Sequence, residues 1–394
     1  MKIGSTIYLD HQASTPLDAK VFSAMAPYFY ESFGNPHSAD HCLGWRAARA
    51  VEDAARRVAG LIGADADEII FTSGATEANN LALLGLGRHA SRGKRRRILV
   101  SSIEHKCVLA ICRILHAQLA YKIELLPVDE VGLVKMASLR ETLTDDVLAV
   151  SVMAVNNEIG TIQDITGLSK IIRGCGALFH CDAAQAPGAI DLQMATEWVD
   201  LLSLSGHKMY GPQGIGALYI SRNLHDRIEP IVYGGGQQQN LRSGTVPVAL
   251  CVGMGAAATL LDTPEAPEQL SIIRNRRDRF VQMLLDLPWS IVLNGPTSNF
   301  RHPGNANIRF VGFNAHDILH ILQPHLAAST GSACTSGIPD PSHVLRAIGL
   351  STEEAESSIR FSIGRNTTDT ELEEAVRLIA EGLSRLSMTS QCVS

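Results

Sequence analysis

No stretch of this chain reaches the roughly 18 consecutive apolar residues that a membrane-spanning helix needs. The opening Met1-Lys-Ile-Gly-Ser-Thr-Ile-Tyr-Leu-Asp10 lacks the apolar core of a signal peptide. In the ending Gln391-Cys-Val-Ser394 the cysteine stands one position too late for a prenylation box. These absences predict a cytoplasmic protein with no membrane partner. An excess of one charge sign is lacking too. The net charge of the 394 residues is -6, so no direct binding to nucleic acid is expected. One basic run, Arg92-Gly-Lys-Arg-Arg-Arg97, lies between a helix-like and a strand-like segment and reads as a solvated loop. Eight cysteines are present, without a Cys-x-x-Cys pair or zinc-ligand spacing. Most are expected to be buried thiols that act as small hydrophobes, Cys112 and Cys181 among them.

Hydrophobic residues make up 45% and charged residues 19%, the balance of a globular chain long enough for two domains. β-rich runs occur at Glu68-Ile-Ile-Phe-Thr72, 97–101, 147–153, 177–181, 199–204 and 216–220. Helix-period segments at 76–89, 105–119 and 166–173 fall between them. This alternation predicts an α/β fold with a mainly parallel sheet covered by helices. Ligands gather at the carboxyl ends of such strands. Polar clusters stand there: Ser73-Gly-Ala-Thr76, Asn156-Asn157-Glu158, Asp182 and Ser205-Gly-His-Lys208. The proline-bearing stretch 262–268 predicts a boundary. Beyond it come a charged helix over 268–287, a strand over 307–310 and a helix over 370–386. The runs 234–239 and 327–337, rich in Gly, Gln, Ser and Ala, predict mobile loops.

A lysine at the end of a buried strand is out of place unless bonded, because burying an ammonium is costly. A Schiff base to pyridoxal 5'-phosphate removes that cost for Lys208; taken alone, however, Lys208 reads more readily as a loop lysine. Other residues sharpen the choice. Asp182 suits the protonated pyridine nitrogen, and Gln185 the ring's phenolate oxygen. The Ser73-Gly-Ala75-Thr76 amides and hydroxyl make an anion site at a helix N-terminus, which Ser205 and His207 can complete. His105 opens a helix where an imidazole can stack on the ring.

The set resembles the cysteine desulfurases of the class V aminotransferase family. The resemblance runs from Tyr8 to about Thr368. It is carried by Gly34-Asn-Pro36, Ser73-Gly-Ala-Thr-Glu77, Glu104-His-Lys106, Val155-Asn-Asn-Glu-Ile-Gly160, Asp182-Ala-Ala-Gln185, Ser205-Gly-His-Lys-Met-Tyr-Gly-Pro212, Arg242-Ser-Gly-Thr245, Gly331-Ser-Ala-Cys-Thr-Ser336 and Ile359-Arg-Phe-Ser-Ile-Gly-Arg365. It implies the type I pyridoxal-phosphate transferase fold, with a seven-stranded sheet in a large domain over 14–262. A smaller α+β domain takes 1–13 and 263–394. It implies conversion of L-cysteine to L-alanine, with sulfur carried on Cys334 as a persulfide for an acceptor protein in iron–sulfur assembly, tRNA thiolation or DNA sulfur modification. Lys208 would hold the cofactor and move the Cα proton, while His105 stacks on the ring. Ala75, Thr76, Ser205 and His207 would bind phosphate, joined by Thr245 from the partner of a homodimer with shared active sites. Asn156 would lie near the ring oxygen and the substrate carboxylate, which Arg360 would clamp. The alternatives are a selenocysteine lyase or an aminotransferase of the same class.

Three departures from the family pattern bear on partners. The opening reads Asp10-His-Gln-Ala13. The loop before Arg242 reads Gly234-Gly-Gly-Gln-Gln-Gln-Asn240, without the family's Glu and Arg. The family's long docking tail has no counterpart. These predict weak docking to a housekeeping iron–sulfur scaffold and stronger docking to a dedicated acceptor.

Overall fold

A computed structural model of the chain describes residues 1–193, 195–331 and 341–391. Cys334, expected to carry the sulfur, lies outside the described residues.

Seven strands build the main sheet: β1 (Ile69–Thr72), β2 (Arg97–Ser101), β3 (Lys122–Leu126), β4 (Val147–Ser151), β5 (Leu178–Asp182), β6 (Leu201–Ser205) and β7 (Gly216–Ile220). Their order is β1-β7-β6-β5-β4-β2-β3. The pairs from β6 across to β3 are parallel, whereas β7 runs antiparallel to both β6 and β1. Two reversals restore the direction of β1. Thr72, Ser101, Asp182 and Ser205 therefore end on one edge of the sheet. Every residue of β4, β6 and β7 is buried, as in strands covered on both faces.

β3 was not anticipated from sequence. It is the outer strand, half exposed, and its Lys122 and Glu124 interrupt the apolar pattern, a common way to blunt a sheet edge. Helices α1 (Cys42–Ile62), α2 (Ala75–His89), α3 (Lys106–Leu119), α4 (Ile165–Cys175) and α5 (Val248–Leu261) surround the sheet. α1 was also missed, because its buried stripe is mostly alanine. Those small residues let it approach α5 closely: a Cβ on Gly255 would stand 2.8 Å from the Ala54 Cα. α1 stops at Gly63, where φ is 72° and a Cβ would meet the Gln193 carbonyl oxygen.

A second core gathers around the antiparallel strands β8 (Ile291–Asn294), β9 (Asn305–Phe310) and β10 (Ser358–Ser362), with β9 in the middle. Helices α6 (Ala266–Leu285) and α7 (Asp369–Gln391) supply its cover. Phe361 packs edge-on against Phe280 and Phe310, with ring centroids 5.4 and 6.4 Å apart. The N-terminus joins this core through buried Ile7 and Leu9, and Asp10 bridges to Ser362. The segment after the undescribed residues does not stay with it. Val344, Leu345 and Ala355 pack into the large core instead. The expected small unit over 263–394 is therefore not uniform: the chain crosses to the main sheet and returns at β10.

Candidate active site

The turn from β1 into α2 is open. Gly74 takes φ 153°, gives no side-chain cap to α2, and a Cβ on it would meet nothing within 4 Å. No side chain caps the start of α2, which leaves its first amides, at Ala75 and Thr76, without a capping partner. Behind it, a Cβ on Gly216 of β7 would clash with the Gly74 backbone at 2.6 Å, so strand and turn meet closely. Glu77 braces the turn by accepting from the Ser73 amide at 2.7 Å and from Arg242 Nε at 2.8 Å. Burial works against its charge, but Arg242 and Ser73 outweigh that and hold its carboxyl below the usual range.

Asp182 closes β5, nearly buried. Its Oδ2 accepts from Asn79 Nδ2 at 2.8 Å and its Oδ1 from the Ala184 amide at 3.0 Å. Lys208 sits in the 3-10 turn that follows β6 (Gly206–Lys208), one step past the strand end expected for it. Its Nζ donates to the carbonyl oxygens of Gln12 and Ala13, the latter at 2.8 Å. Gln185 Nε2 reaches the same Gln12 oxygen at 2.9 Å. Burial, then the Arg360 charge, pull the Lys208 pKa down to about 8. His207 lies 3.2 Å from the Ser14 hydroxyl through Nδ1, and burial followed by Lys208 lowers its pKa to about 4. Ser205 is buried at the end of β6.

His105 caps α3, its Nδ1 accepting from the Cys107 amide, and the residue is exposed. The protein packed behind that ring still lowers its pKa, by desolvation more than by any single charge. Arg360 is buried in β10. It donates to the Asn157 carbonyl at 2.9 Å, to Asp10 Oδ1 at 2.7 Å and to Ser329 Oγ at 2.9 Å. Its Nε has no partner among the described residues. Asn156 is committed inward. Its Nδ2 donates to the Ile103 carbonyl, and its Oδ1 accepts from the Glu158 and Ile159 amides. The carboxamide expected beside the ring and substrate thus holds its own loop together. Thr245 is exposed.

Two participants had no sequence signal beyond their place near a motif: Asn79 lies one helical turn after Thr76, and Asp10 opposes Arg360. Glu158, from the polar cluster after β4, is met by Gly331 and Ser342. A Cβ on Gly331 would lie 3.2 Å from Glu158 Oε2, and Ser342 Oγ donates to that oxygen at 2.5 Å. The loop 234–239, expected to be mobile, is tied down. Gln238 exchanges two hydrogen bonds with the Phe71 backbone, and Gln239 Nε2 donates to the Asp67 carbonyl.

An amine of lowered pKa, a carboxylate held by two donors, a facing imidazole and an uncapped helix start form one strand-end site. That donor set fits pyridoxal phosphate. A family model described as aminotransferase class-V matches residues 7–375. Cysteine desulfurase IscS of Rickettsia akari is 46% identical over 384 residues, spanning 98% of this chain and 92% of the relative. A NifS-like protein of known structure superposes with TM-score 0.89 at 32% identity, covering 96% of this chain and 99% of that one. A structure described as SspA in complex with cysteine superposes with TM-score 0.79 at 34% identity, covering 92% and 100%. The chain belongs to the class V aminotransferase family of pyridoxal-phosphate enzymes and, within it, to the cysteine desulfurases. No helix among the described residues is long and apolar enough to cross a membrane.

Proposed function

We propose that this desulfurase works through Lys208, His105, Arg360 and Cys334, in a homodimer with shared sites. Lys208 carries the reading: a half-buried amine with pKa about 8, on the same strand-end edge as Asp182, His105 and the open turn of α2. Such an amine is partly neutral near pH 7 and able to bond covalently to an aldehyde. Asp182 and Gln185 hold the ring, His105 stacks on it, and Ala75, Thr76, Ser205 and His207 hold the phosphate. Asn156 serves ring and substrate by shaping the loop beside Arg360. The Arg360 guanidinium takes the substrate carboxylate while still donating to Asp10. Pyridoxal phosphate, when bound, withdraws electrons from the substrate and weakens its Cα–H and Cβ–Sγ bonds. Lys208 moves the Cα proton. The Cys334 thiolate attacks the substrate Sγ: an S–S bond forms and the Cβ–Sγ bond breaks. The released electron pair stays on carbon, which takes a proton to give alanine. Cys334 takes this role through its motif, Gly331-Ser-Ala-Cys-Thr-Ser336.

Thr245 reaches the partner's phosphate in this reading. Phe22, Phe29, Tyr30, Phe33 and Trp45, each 57–68% exposed within the first 45 residues, supply an apolar face for the second copy. The sulfur goes to a protein thiol, and we infer a dedicated acceptor, as in DNA sulfur modification, over a housekeeping iron–sulfur scaffold. The neutral glutamines at 237–239, hydrogen-bonded to the protein's own backbone, offer little charge to steer the latter.

Cysteine labelled in sulfur tests these assignments. In Cys334→Ser the cofactor spectrum still responds to cysteine, but the protein retains no label and makes almost no alanine. Near-normal alanine would place the nucleophile elsewhere. In the native enzyme, label offered to both acceptors at once goes faster to the dedicated one; equal transfer would refute that choice.

A further inference from the structure

Between Asp182 and His105 runs a chain of hydrogen bonds that none of the roles above requires. Asn79 is completely buried in α2. Its Nδ2 has two hydrogens and two acceptors in reach, Asp182 Oδ2 at 2.8 Å and Cys107 Sγ at 3.4 Å. Cys107 Sγ lies 3.0 Å from His105 Nδ1. The Cys107 backbone amide also points at Nδ1, at 3.2 Å.

The donor directions follow from these partners. A backbone amide can only donate, so His105 Nδ1 is an acceptor and the ring proton of the neutral imidazole sits on Nε2. The thiol is neutral. Burial first, then the nearby Asp182 charge, raise the Cys107 pKa to about 11. Its S–H is therefore available to Nδ1, while its sulfur accepts from Asn79. The Asn79 oxygen has no partner among the described residues, so its nitrogen is the working end. Each link runs one way, from Asn79 to Asp182, from Asn79 to Cys107, and from Cys107 to His105.

We propose that Asn79 and Cys107 are positioning residues, which act together to hold the Asp182 carboxylate in one orientation and to keep His105 in the cleft as a neutral imidazole with its proton on Nε2. The proposal rests on the assignment of Asp182 and His105 to the cofactor ring. It gives the Cys107 thiol a structural use, and a neutral, hydrogen-bonded thiol is a poor nucleophile. The two residues reach both sides of the site by different routes. Asn79 comes from the helix whose N-terminus forms the anion cradle, and Cys107 from the first turn of the helix that His105 caps.

The test uses loaded enzyme with histidine rings labelled in nitrogen-15, His105 being assigned by its loss in His105→Gln. Cys107→Val fills the same space without a donor, and Cys107→Ser restores a donor. Removing a donor from Nδ1 favours protonation there, so the titration midpoint of His105 should rise in Cys107→Val and stay at the native position in Cys107→Ser. The unprotonated native ring should show the Nε2–H form. Asn79→Leu, of similar volume, should weaken cofactor binding about tenfold or more, read by absorbance titration of the stripped enzyme. The ring measurement is repeated without cofactor, so it stands even if Lys208 does not carry the cofactor; loss of the lysine-linked absorbance in the native enzyme would instead strike at the assignment of the site. A native ring protonated on Nδ1, a Cys107→Val midpoint equal to native, or unchanged cofactor affinity in folded Asn79→Leu would each overturn the proposal.

Discussion

At the residue scale the site is tuned by burial more than by charge pairing. Lys208 illustrates the sign. Burial and the Arg360 guanidinium both disfavour the ammonium, so the pKa falls from 10.5 to about 8. The reactive form is the neutral amine. At pH 7.5 its fraction is roughly a quarter, against about one part in a thousand for an ordinary lysine. Capture of the cofactor aldehyde by stripped enzyme should therefore accelerate as pH rises through about 8 and level off above it. Arg360→Leu removes the second cause and should move that midpoint upward. Stopped-flow absorbance across pH 6.5–9.5 reads both; a rate still climbing at the upper end in the native enzyme would show that the site does not depress this amine. Lys208 stood out in the sequence only through its motif and its companions, since a lysine just past a strand is by itself an ordinary loop residue. The carbonyl oxygens of Gln12 and Ala13 that receive its hydrogens were not legible, since backbone acceptors have no residue signature and these lie nearly two hundred positions away.

At the element scale, strands buried on both faces were readable as apolar runs, and their ends located the polar clusters. What escaped was the periphery: β3, whose exposed charges hide its period, and α1, whose alanine stripe carries little hydropathy. The loop 234–239 shows a different failure. Glycine and glutamine suggested mobility, whereas the Gln238 carboxamide takes the place of a neighbouring strand on the outer edge of β1. It accepts from the Phe71 amide at 2.7 Å and donates to the Phe71 carbonyl at 2.9 Å. Composition reports that a loop is polar, not that its polar groups have found backbone partners. A carboxylate at this position can accept but cannot donate, and it would face a carbonyl oxygen. Gln238→Glu should therefore destabilise the fold by about 1–3 kcal/mol. Gln237→Glu is the control, because Gln237 uses only its oxygen, accepting from the Gly244 amide at 2.8 Å. Thermal melting of the two variants side by side decides the matter: equal melting points would mean that the Phe71 pairing contributes nothing.

At the scale of the whole molecule, the site is assembled from both cores and from the N-terminus. Arg360 comes from β10, Lys208 follows β6, and Asp10 precedes the large domain proposed from sequence. The exposed aromatic face and the exposed Thr245 extend this logic to a second copy. If Thr245 serves the partner's phosphate, each site takes Lys208 from one protomer and Thr245 from the other. Two defective proteins then repair each other. Lys208→Ala lacks the amine but keeps Thr245, while Thr245→Ala keeps the amine and binds phosphate weakly. In a heterodimer one site collects both defects and the other collects neither. With random exchange, half the dimers are mixed, and about a quarter of all sites regain native composition. Alanine formation at limiting cofactor, measured before and after the two proteins exchange subunits, should rise accordingly. Sedimentation run in parallel should show dimers throughout. If Thr245 acts within its own protomer, the mixed dimer contains no repaired site and activity stays at the average of the two parents; that result would confine the active site to a single chain.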